Sequence, residues 1–183
     1  MSKRKKILVA LTGASGIELG VKFLDYLPKK VEKYAIVSKN VKLVKKLEKK
    51  KIKIFFENEI GAAVASGSFG IDIFAIIPCS MNTLAKISVG IADNLITRAA
   101  SVALKEGKTL LLAPREMPFS QIALENMLRL SKMGVIIAPP VMGYYSNPKT
   151  LEEMEKFIIG KWFDRLGIEN NLYKRWGESP QKI

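Results

Sequence analysis

Five short runs of almost entirely apolar residues recur along the chain, separated by longer segments of mixed polarity. Each run is rich in Ile, Val, Leu and Ala and lacks the alternation expected of a strand with one face in water. Such runs are typical of strands covered on both faces, as in a parallel sheet with crossover helices. The predicted strands comprise residues 7–11, 34–37, 73–77, 109–113 and 135–138.

The segments between these runs predict helices. In residues 151–166 the apolar side chains return every three or four positions, which gives that helix one face for the protein interior. Strands and helices that alternate in this way predict a three-layer α/β fold with helices on both faces of a parallel sheet. We expect one domain over residues 1–183, with a C-terminal arm from about residue 167 to 183. The predicted helices comprise about residues 17–27, 39–49, 83–89, 94–105, 120–132 and 150–166.

The loops that follow the apolar runs are the candidate site, because ligands of open parallel sheets bind at the carboxyl ends of the strands. The first loop reads Thr-Gly-Ala-Ser-Gly at residues 12–16 and leads into a predicted helix. Its glycines and the helix dipole suit a phosphate. It has neither the GxGxxG spacing of a dinucleotide fingerprint nor the Lys of a Walker loop. A tight turn with a helix cap is the alternative interpretation.

Two further loops carry polar side chains directly after a strand. Ser80 and Thr83 offer hydroxyls beside the amides of a helix start, which suits a second phosphate or a ribityl chain. Arg115 and Glu116 lie between two prolines, where a guanidinium can bind a phosphate or a flavin edge and a carboxylate can transfer protons. A plain helix cap and a surface ion pair are the respective alternatives.

The amino-acid composition limits the kinds of functional site that the chain can form. The 183 residues include no His and one Cys, which excludes a histidine base, an imidazole zinc site and a disulfide within one chain. Without a His partner, Cys79 is predicted to be a buried apolar residue. The net charge of +13 comes mainly from clustered Lys with little aromatic interleaving, which favours a solvated surface over a nucleic-acid site. No apolar run approaches the roughly 20 residues that span a bilayer, so we expect a cytoplasmic protein with no membrane partner.

Several stretches, taken together, closely resemble the UbiX family of flavin prenyltransferases over nearly the whole chain. The family has a Rossmann-like or flavodoxin-like fold and assembles as a homododecamer with flavin sites at subunit contacts, and the resemblance implies the same here. The matching stretches are TGASG (12–16), PCSMNTLA (78–85), DNLITRAA (93–100), LKE (104–106), APREMP (113–118), LENML (124–128), GYY (143–145) and RWGE (175–178).

The resemblance also implies a reaction. Members of the family join the dimethylallyl group of dimethylallyl phosphate to N5 and C6 of reduced FMN, and the prenylated FMN serves UbiD-type decarboxylases as cofactor. The chain is thus expected to be a metal-independent prenyltransferase. With only four Asp and no DDxxD motif, a monophosphate leaving group neutralised by Lys and Arg is the consistent chemistry.

Site residues follow from the matching positions. Asn82 replaces a Gly common in bacterial relatives, and Lys161 stands where some relatives have Arg, which keeps the charge but loses bidentate geometry. The FMN contacts implied are Gly13, Ala14, Ser15, Ser38, Ser80, Met81, Asn82, Thr83 and Arg115. The donor is assigned to Tyr145, Lys161, Arg98, Lys105 and Trp176. The catalytic candidates are Ser15, Glu48, Arg98, Lys105 and Glu116.

Two other functions stay open for this fold. An FMN-dependent reductase would use the same flavin loops, since a fold does not determine its chemistry. A non-enzymatic flavin carrier would need no set of Arg98, Lys105 and Glu116. Arg98 and Lys105 stand seven residues apart on one predicted helix, hence on one face, from which both can direct a cation into a shared site.

Overall fold

The computed structural model describes residues 4–13, 15–37, 47–48, 50 and 52–175. The chain divides after Pro139 into two compact units, residues 1–139 and 140–183, which are described one at a time. Organisation as one domain with an arm stays a prediction.

The first unit contains a six-stranded sheet in the order β3-β2-β1-β4-β5-β6, and every neighbouring pair of strands is parallel. The apolar runs form strands as predicted, since β1, β4 and β5 are buried almost throughout. The parallel α/β sheet is therefore confirmed. The strands are β1 (Lys6–Leu11), β2 (Glu32–Val37), β3 (Lys53–Phe56), β4 (Ile73–Cys79), β5 (Thr109–Pro114) and β6 (Ile136–Ile137).

One strand, β3, is not predicted by the sequence pattern. It pairs with β2 at the sheet edge, is only partly buried and directly follows the basic run, which hides its short apolar stretch. The helix predicted for residues 39–49 lies mostly outside the described residues. Of that segment, Leu47 and Glu48 are helical, and Leu47 is fully buried.

Five helices are described, and four of them begin at a side-chain cap. The caps are Ser80, Asn94, Ser120 and Thr150, and each accepts a hydrogen bond from the backbone N–H three residues later. Such a bond satisfies one of the free amides of a helix start, which explains why the helices begin there. The helices are α1 (Ile17–Tyr26), α2 (Met81–Ser88), α3 (Leu95–Lys105), α4 (Gln121–Lys132) and, in the second unit, α5 (Leu151–Arg165).

The core of the first unit follows the alternation of side chains along the strands. Leu8, Phe74 and Leu110 belong to the buried cluster that also contains the apolar faces of α2, α3 and α4. Helix α1 packs close to β1 and β4, because a Cβ on Gly20 would clash with the Ile77 carbonyl and the Leu11 side chain. That close approach brings the start of α1 to the ends of both strands.

The second unit consists of a turn at Tyr144–Ser146, helix α5 and the residues that follow it. Phe157, Phe163 and Trp162 are buried. Residues 170–175 fold back on α5 and donate hydrogen bonds to Asp164. Among the helices described in both units, none combines the length and apolar character required to cross a bilayer.

Candidate functional site

The order in which the chain adds strands to the sheet reverses between β1 and β4. Strands β1, β2 and β3 follow one another toward one edge, whereas β4, β5 and β6 follow toward the other. A crevice opens outside the carboxyl ends of the strands at such a switch point, and ligands of open α/β sheets bind there. The loops after β1, β4 and β5 leave the sheet side by side at this place.

A group of mutually bonded polar residues joins the first two loops. The Thr12 hydroxyl donates to the Pro78 carbonyl at 2.8 Å and accepts from the Ser80 N–H at 3.0 Å. Thr12 and Thr83 are buried. We call Thr12, Pro78, Ser80 and Thr83 the carboxyl-edge hub. Because the bonds connect residues far apart in sequence, they fix the end of β1 against the end of β4.

The hub also contains Ser80, the residue that caps the start of α2. Ser80 Oγ accepts from the Thr83 N–H at 3.2 Å and lies 2.9 Å from the Thr83 hydroxyl. The Ser80 cap accepts from Thr83, so the N–H groups of Met81 and Asn82, in the first turn, do not donate to it. Free amides and the helix dipole favour an anion at a helix start.

The β1 loop supplies a second helix start. Gly16 precedes α1 in the left-handed region with φ 101°, a conformation that favours glycine, and no side chain caps this helix. Gly13 and Ser15 are exposed, and a Cβ on Gly13 would meet no atom within 4 Å. The backbone of the loop is thus open to a ligand.

The third loop is bonded to the end of β4 through its backbone. Pro114 pairs with Cys79, and the Arg115 N–H donates to the Cys79 carbonyl at 3.3 Å. Arg115 and Glu116 are exposed, and Glu116 Oε1 accepts only from the neighbouring Met117 N–H, at 3.1 Å. The guanidinium and the carboxylate therefore stand at the crevice without a fixed side-chain partner in the described chain.

Cys79 ends β4 beneath the crevice and is fully buried. Burial raises the pKa of its thiol to about 12. A thiol in this state is an apolar core group rather than a nucleophile. The prediction for Cys79 is confirmed.

The two cations of α3 lie at opposite ends of the helix. The α3 start lies beyond the carboxyl end of β3, where the Leu95 N–H donates to the Glu57 carbonyl at 2.8 Å, and Arg98 is in the first turn. Lys105 is the last residue of α3, just before β5 begins. Seven residues span about 10 Å along a helix. The Arg98 backbone is thus near the carboxyl edge of the sheet and the Lys105 backbone near the amino edge, and their joint action at one site stays a prediction.

In the second unit the structure brings Tyr145 and Lys161 to one side of α5. The Tyr145 ring packs edge-on against Phe157, with 5.3 Å between ring centres. Lys161 stands four residues after Phe157, hence on the same face of the helix, and is exposed. Their proposed joint contact with a donor stays a prediction.

Other predicted residues cannot be placed fully. Ala14, Ser38 and Trp176 lie outside the described residues, and Glu48 is exposed. The sequence alone assigns no role to Thr12 or Gly20. Thr12 is the first residue of the TGASG stretch, directly after an apolar run, and Gly20 carries no motif.

The chemistry of the crevice fits a phosphate-bearing ligand such as FMN. It offers hydroxyl groups, two helix starts and the guanidinium of Arg115, which are the groups that hold phosphate in proteins. Throughout the part of the chain that the structure describes, no three Cys, Asp or Glu residues come together as a metal ion would require.

Comparison with known families agrees with this geometry. The profile of the Flavoprotein family matches residues 1–161. The chain is 51% identical to the flavin prenyltransferase UbiX of Helicobacter pylori, over 94% of this chain and 98% of the relative. It is 41% identical to the flavin prenyltransferase UbiX of Methanocaldococcus jannaschii, over 94% and 98%.

Two solved structures of UbiX or UbiX-like proteins have the same fold as this chain. A dodecameric FMN-dependent UbiX-like decarboxylase from Escherichia coli O157:H7 has a TM-score of 0.89 and 40% identity, over 93% of this chain and 98% of the other. AnUbiX in complex with FMN and dimethylallyl pyrophosphate also has a TM-score of 0.89, with 36% identity over 97% and 100%. The predicted Rossmann-like fold is confirmed.

Proposed function

The chain belongs to the UbiX family of flavin prenyltransferases, and from this premise we propose that it transfers the dimethylallyl group of dimethylallyl phosphate to reduced FMN. The observation that carries the proposal is the meeting of three phosphate-suited loops at the sheet switch point of a chain from this family. When bound, the reduced flavin supplies N5 and C6 as the positions that accept the prenyl carbons.

The carboxyl-edge hub and its neighbours bind the flavin in this proposal. The start of α2 and the β1 loop donate amides to the FMN phosphate and ribityl chain, and Arg115 contacts the flavin edge or phosphate. The hub supports these contacts because its own bonds do not depend on the ligand. The full set of proposed FMN contacts is Gly13, Ala14, Ser15, Ser38, Ser80, Met81, Asn82, Thr83 and Arg115.

Cationic and hydroxyl side chains stabilise the departing phosphate. Arg98, Lys105, Tyr145 and Lys161 neutralise and bond its oxygens, as charge-assisted donors do in a closed site. Trp176 shelters the allylic carbons with its ring face. Glu116, with Ser15 and Glu48 as further candidates, moves the protons that complete the transfer.

Lys105 is the last residue of α3, and its backbone lies toward the amino edge of the sheet. We propose that it serves the crevice of a neighbouring copy, so that the site is complete only in a homo-oligomer. Two observations support this: the exposed Lys105 side chain at the amino edge, and the dodecameric state of the Escherichia coli neighbour. Coexpression of Lys105→Ala with Glu116→Gln chains then restores part of the activity that each variant lacks alone.

The test of the function is an anaerobic incubation of the protein with reduced FMN and dimethylallyl phosphate. Mass spectrometry is expected to detect FMN that has gained one five-carbon unit, and parallel reactions with the pyrophosphate measure the preference of the donor site. Binding of FMN without an adduct would instead indicate a carrier. Oxidation of NADH or NADPH without an adduct would indicate a reductase.

We also propose which protein uses the prenylated FMN. Prenylated FMN formed in the cytoplasm is handed to a UbiD-type decarboxylase, which uses it as cofactor. Reactivation of such an apo-decarboxylase by the reaction mixture, but not by FMN alone, is the expected result.

A further inference from the structure

The residues after α5 gather around one carboxylate. Asp164 accepts a hydrogen bond from Asn170 Nδ2 at 2.9 Å and one from the Tyr173 hydroxyl at 2.5 Å. The Arg175 guanidinium donates to both Asp164 oxygens, at 2.8 Å each. All three partners come from the segment that folds back on the helix, and Asn170 Nδ2 also donates to the Gly160 carbonyl at 3.4 Å. Asp164 therefore anchors the segment, since it accepts most of the side-chain hydrogen bonds that this segment makes to α5.

The anchor has the geometry of a strong pair. A bidentate bond between guanidinium and carboxylate fixes both groups in one plane. The Arg175 guanidinium is the main cause that lowers the pKa of Asp164 to about 2, so the carboxylate is charged at neutral pH. Arg175 also lies over the Tyr173 ring, 5.4 Å from its centre.

Three aromatic rings connect this anchor to Tyr145. The Tyr173 ring packs edge-on against Phe157 at 5.2 Å between ring centres, and Phe157 packs edge-on against Tyr145 at 5.3 Å. Two glycines, which have no side chain, allow these rings to pack closely against the backbone. A Cβ on Gly160 would clash with the Tyr173 ring, and one on Gly143 would clash with the Phe157 ring. A shift of Tyr173 therefore passes to Phe157 and on to Tyr145, because close-packed rings do not move independently.

We propose that Asp164 is a positioning residue for the prenyl-donor site, which sets Tyr145 through Tyr173 and Phe157. This inference rests on the proposed function, in which Tyr145 bonds the donor phosphate. Asp164 is partly exposed, and pairs in that position contribute little to global stability. Its four bonds instead fix where the following segment and its ring lie.

The first test is Asp164→Asn, which keeps the size of the side chain but removes its charge. We expect the KM for dimethylallyl phosphate to rise about tenfold, with kcat within about threefold and the Kd for FMN within about twofold. Glu152→Gln is the matched control, because it is also an acid-to-amide change on α5 that removes one ion pair, with Lys156. The control should leave all three constants unchanged.

A second variant displaces the ring without changing any charge. Gly160→Ala pushes Tyr173 away from α5, although alanine is the better helix former and the variant should fold. We expect the same rise in KM as for Asp164→Asn. A lower KM or an unchanged one would contradict transmission through Tyr173.

A readout independent of activity is cleavage by trypsin after Arg175. The bidentate bond to Asp164 restrains this exposed side chain, so Asp164→Asn should be cut there about tenfold faster than the wild-type and Glu152→Gln proteins. Intact-mass analysis counts the chains that end at residue 175. Equal cleavage rates, or a raised FMN Kd in step with KM, would overturn the inference.

If wild-type protein forms no adduct, the proposed function itself fails. An active Asp164→Asn enzyme with normal KM removes only the role of Asp164.

Discussion

The carboxyl-edge hub and the loop of residues 115–118 end neighbouring strands but are built in opposite ways. In the hub, buried Thr12 and Thr83 bond to groups from another loop and from the start of α2. In the loop, Arg115, Glu116 and Met117 are exposed, and their bonds to the rest of the protein come from the backbone. The difference teaches that the hub is ordered before any ligand arrives, whereas the loop side chains take their final positions against a ligand.

This contrast predicts a division of labour. Changes in the hub should lower stability and flavin affinity together, because its bonds serve both. Changes in the loop should lower turnover and leave stability almost unaltered, because exposed side chains contribute little to folding.

The largest expected effect is on turnover, from Glu116→Gln. The amide keeps the shape of the side chain but cannot exchange a proton, and general acid–base groups contribute about 10²–10⁴-fold to rate. We expect at least about a 100-fold loss in adduct formation under anaerobic conditions, with flavin affinity and melting temperature unchanged. Equal turnover by the variant would remove Glu116 from the mechanism. The loop would then no longer differ from the hub through an effect on turnover.

Next in size is the effect of Thr12→Val on the hub. The change leaves the Pro78 carbonyl and the Ser80 amide without their partner, which costs about 1–3 kcal/mol when such groups are buried. Urea denaturation should report this loss, and flavin titration should report weaker binding. Thr109→Val, the same chemical change at an exposed position of β5, is the control and should alter neither. A Thr12→Val protein as stable as the wild type would mean that the hub is not fixed by these bonds.

The sequence predicts some of these features and not others, for physical reasons. The strands buried on both faces are readable because their apolar runs are continuous, whereas β3 is masked by the basic residues before it. The candidate loops are readable because they follow strands. The bonds of Thr12 are not, because its partners lie 66 and 68 residues away and meet it only after β1 pairs with β4.

The pair Arg98 and Lys105 gives the same lesson for helices. A spacing of seven residues predicts a shared face, but it also separates the two side chains by two turns along the axis. In α3 it separates the fourth residue of the helix from the last one. Sequence spacing therefore predicts orientation better than it predicts position.

A smaller effect is expected from Lys105→Ala. We expect turnover to fall about tenfold, since one cation near the departing phosphate is lost. Stability should stay within about 0.5 kcal/mol, because the ion pair of Lys105 with Glu106 is exposed on both sides. Lys108→Ala removes a nearby cation at the same edge and should not change turnover. If both variants lose activity equally, the effect is one of general charge and not of Lys105.

The smallest effect is expected from chemical labelling, which compares the two regions in one molecule. Cys79 adjoins the hub, and with a pKa of about 12 its thiolate fraction at pH 8 is only ~10⁻⁴. In a Met117→Cys variant, the exposed position 117 should react with iodoacetamide within minutes while Cys79 stays unmodified, giving one label per chain. Raising the pH should increase the thiolate fraction of Cys79 about tenfold per pH unit, and this increase should level off only near pH 12, because burial raises the pKa of this thiol. Labelling of Cys79 at pH 8 as fast as position 117 would mean that the end of β4 opens in solution, and the hub would then be no more ordered than the loop beside it.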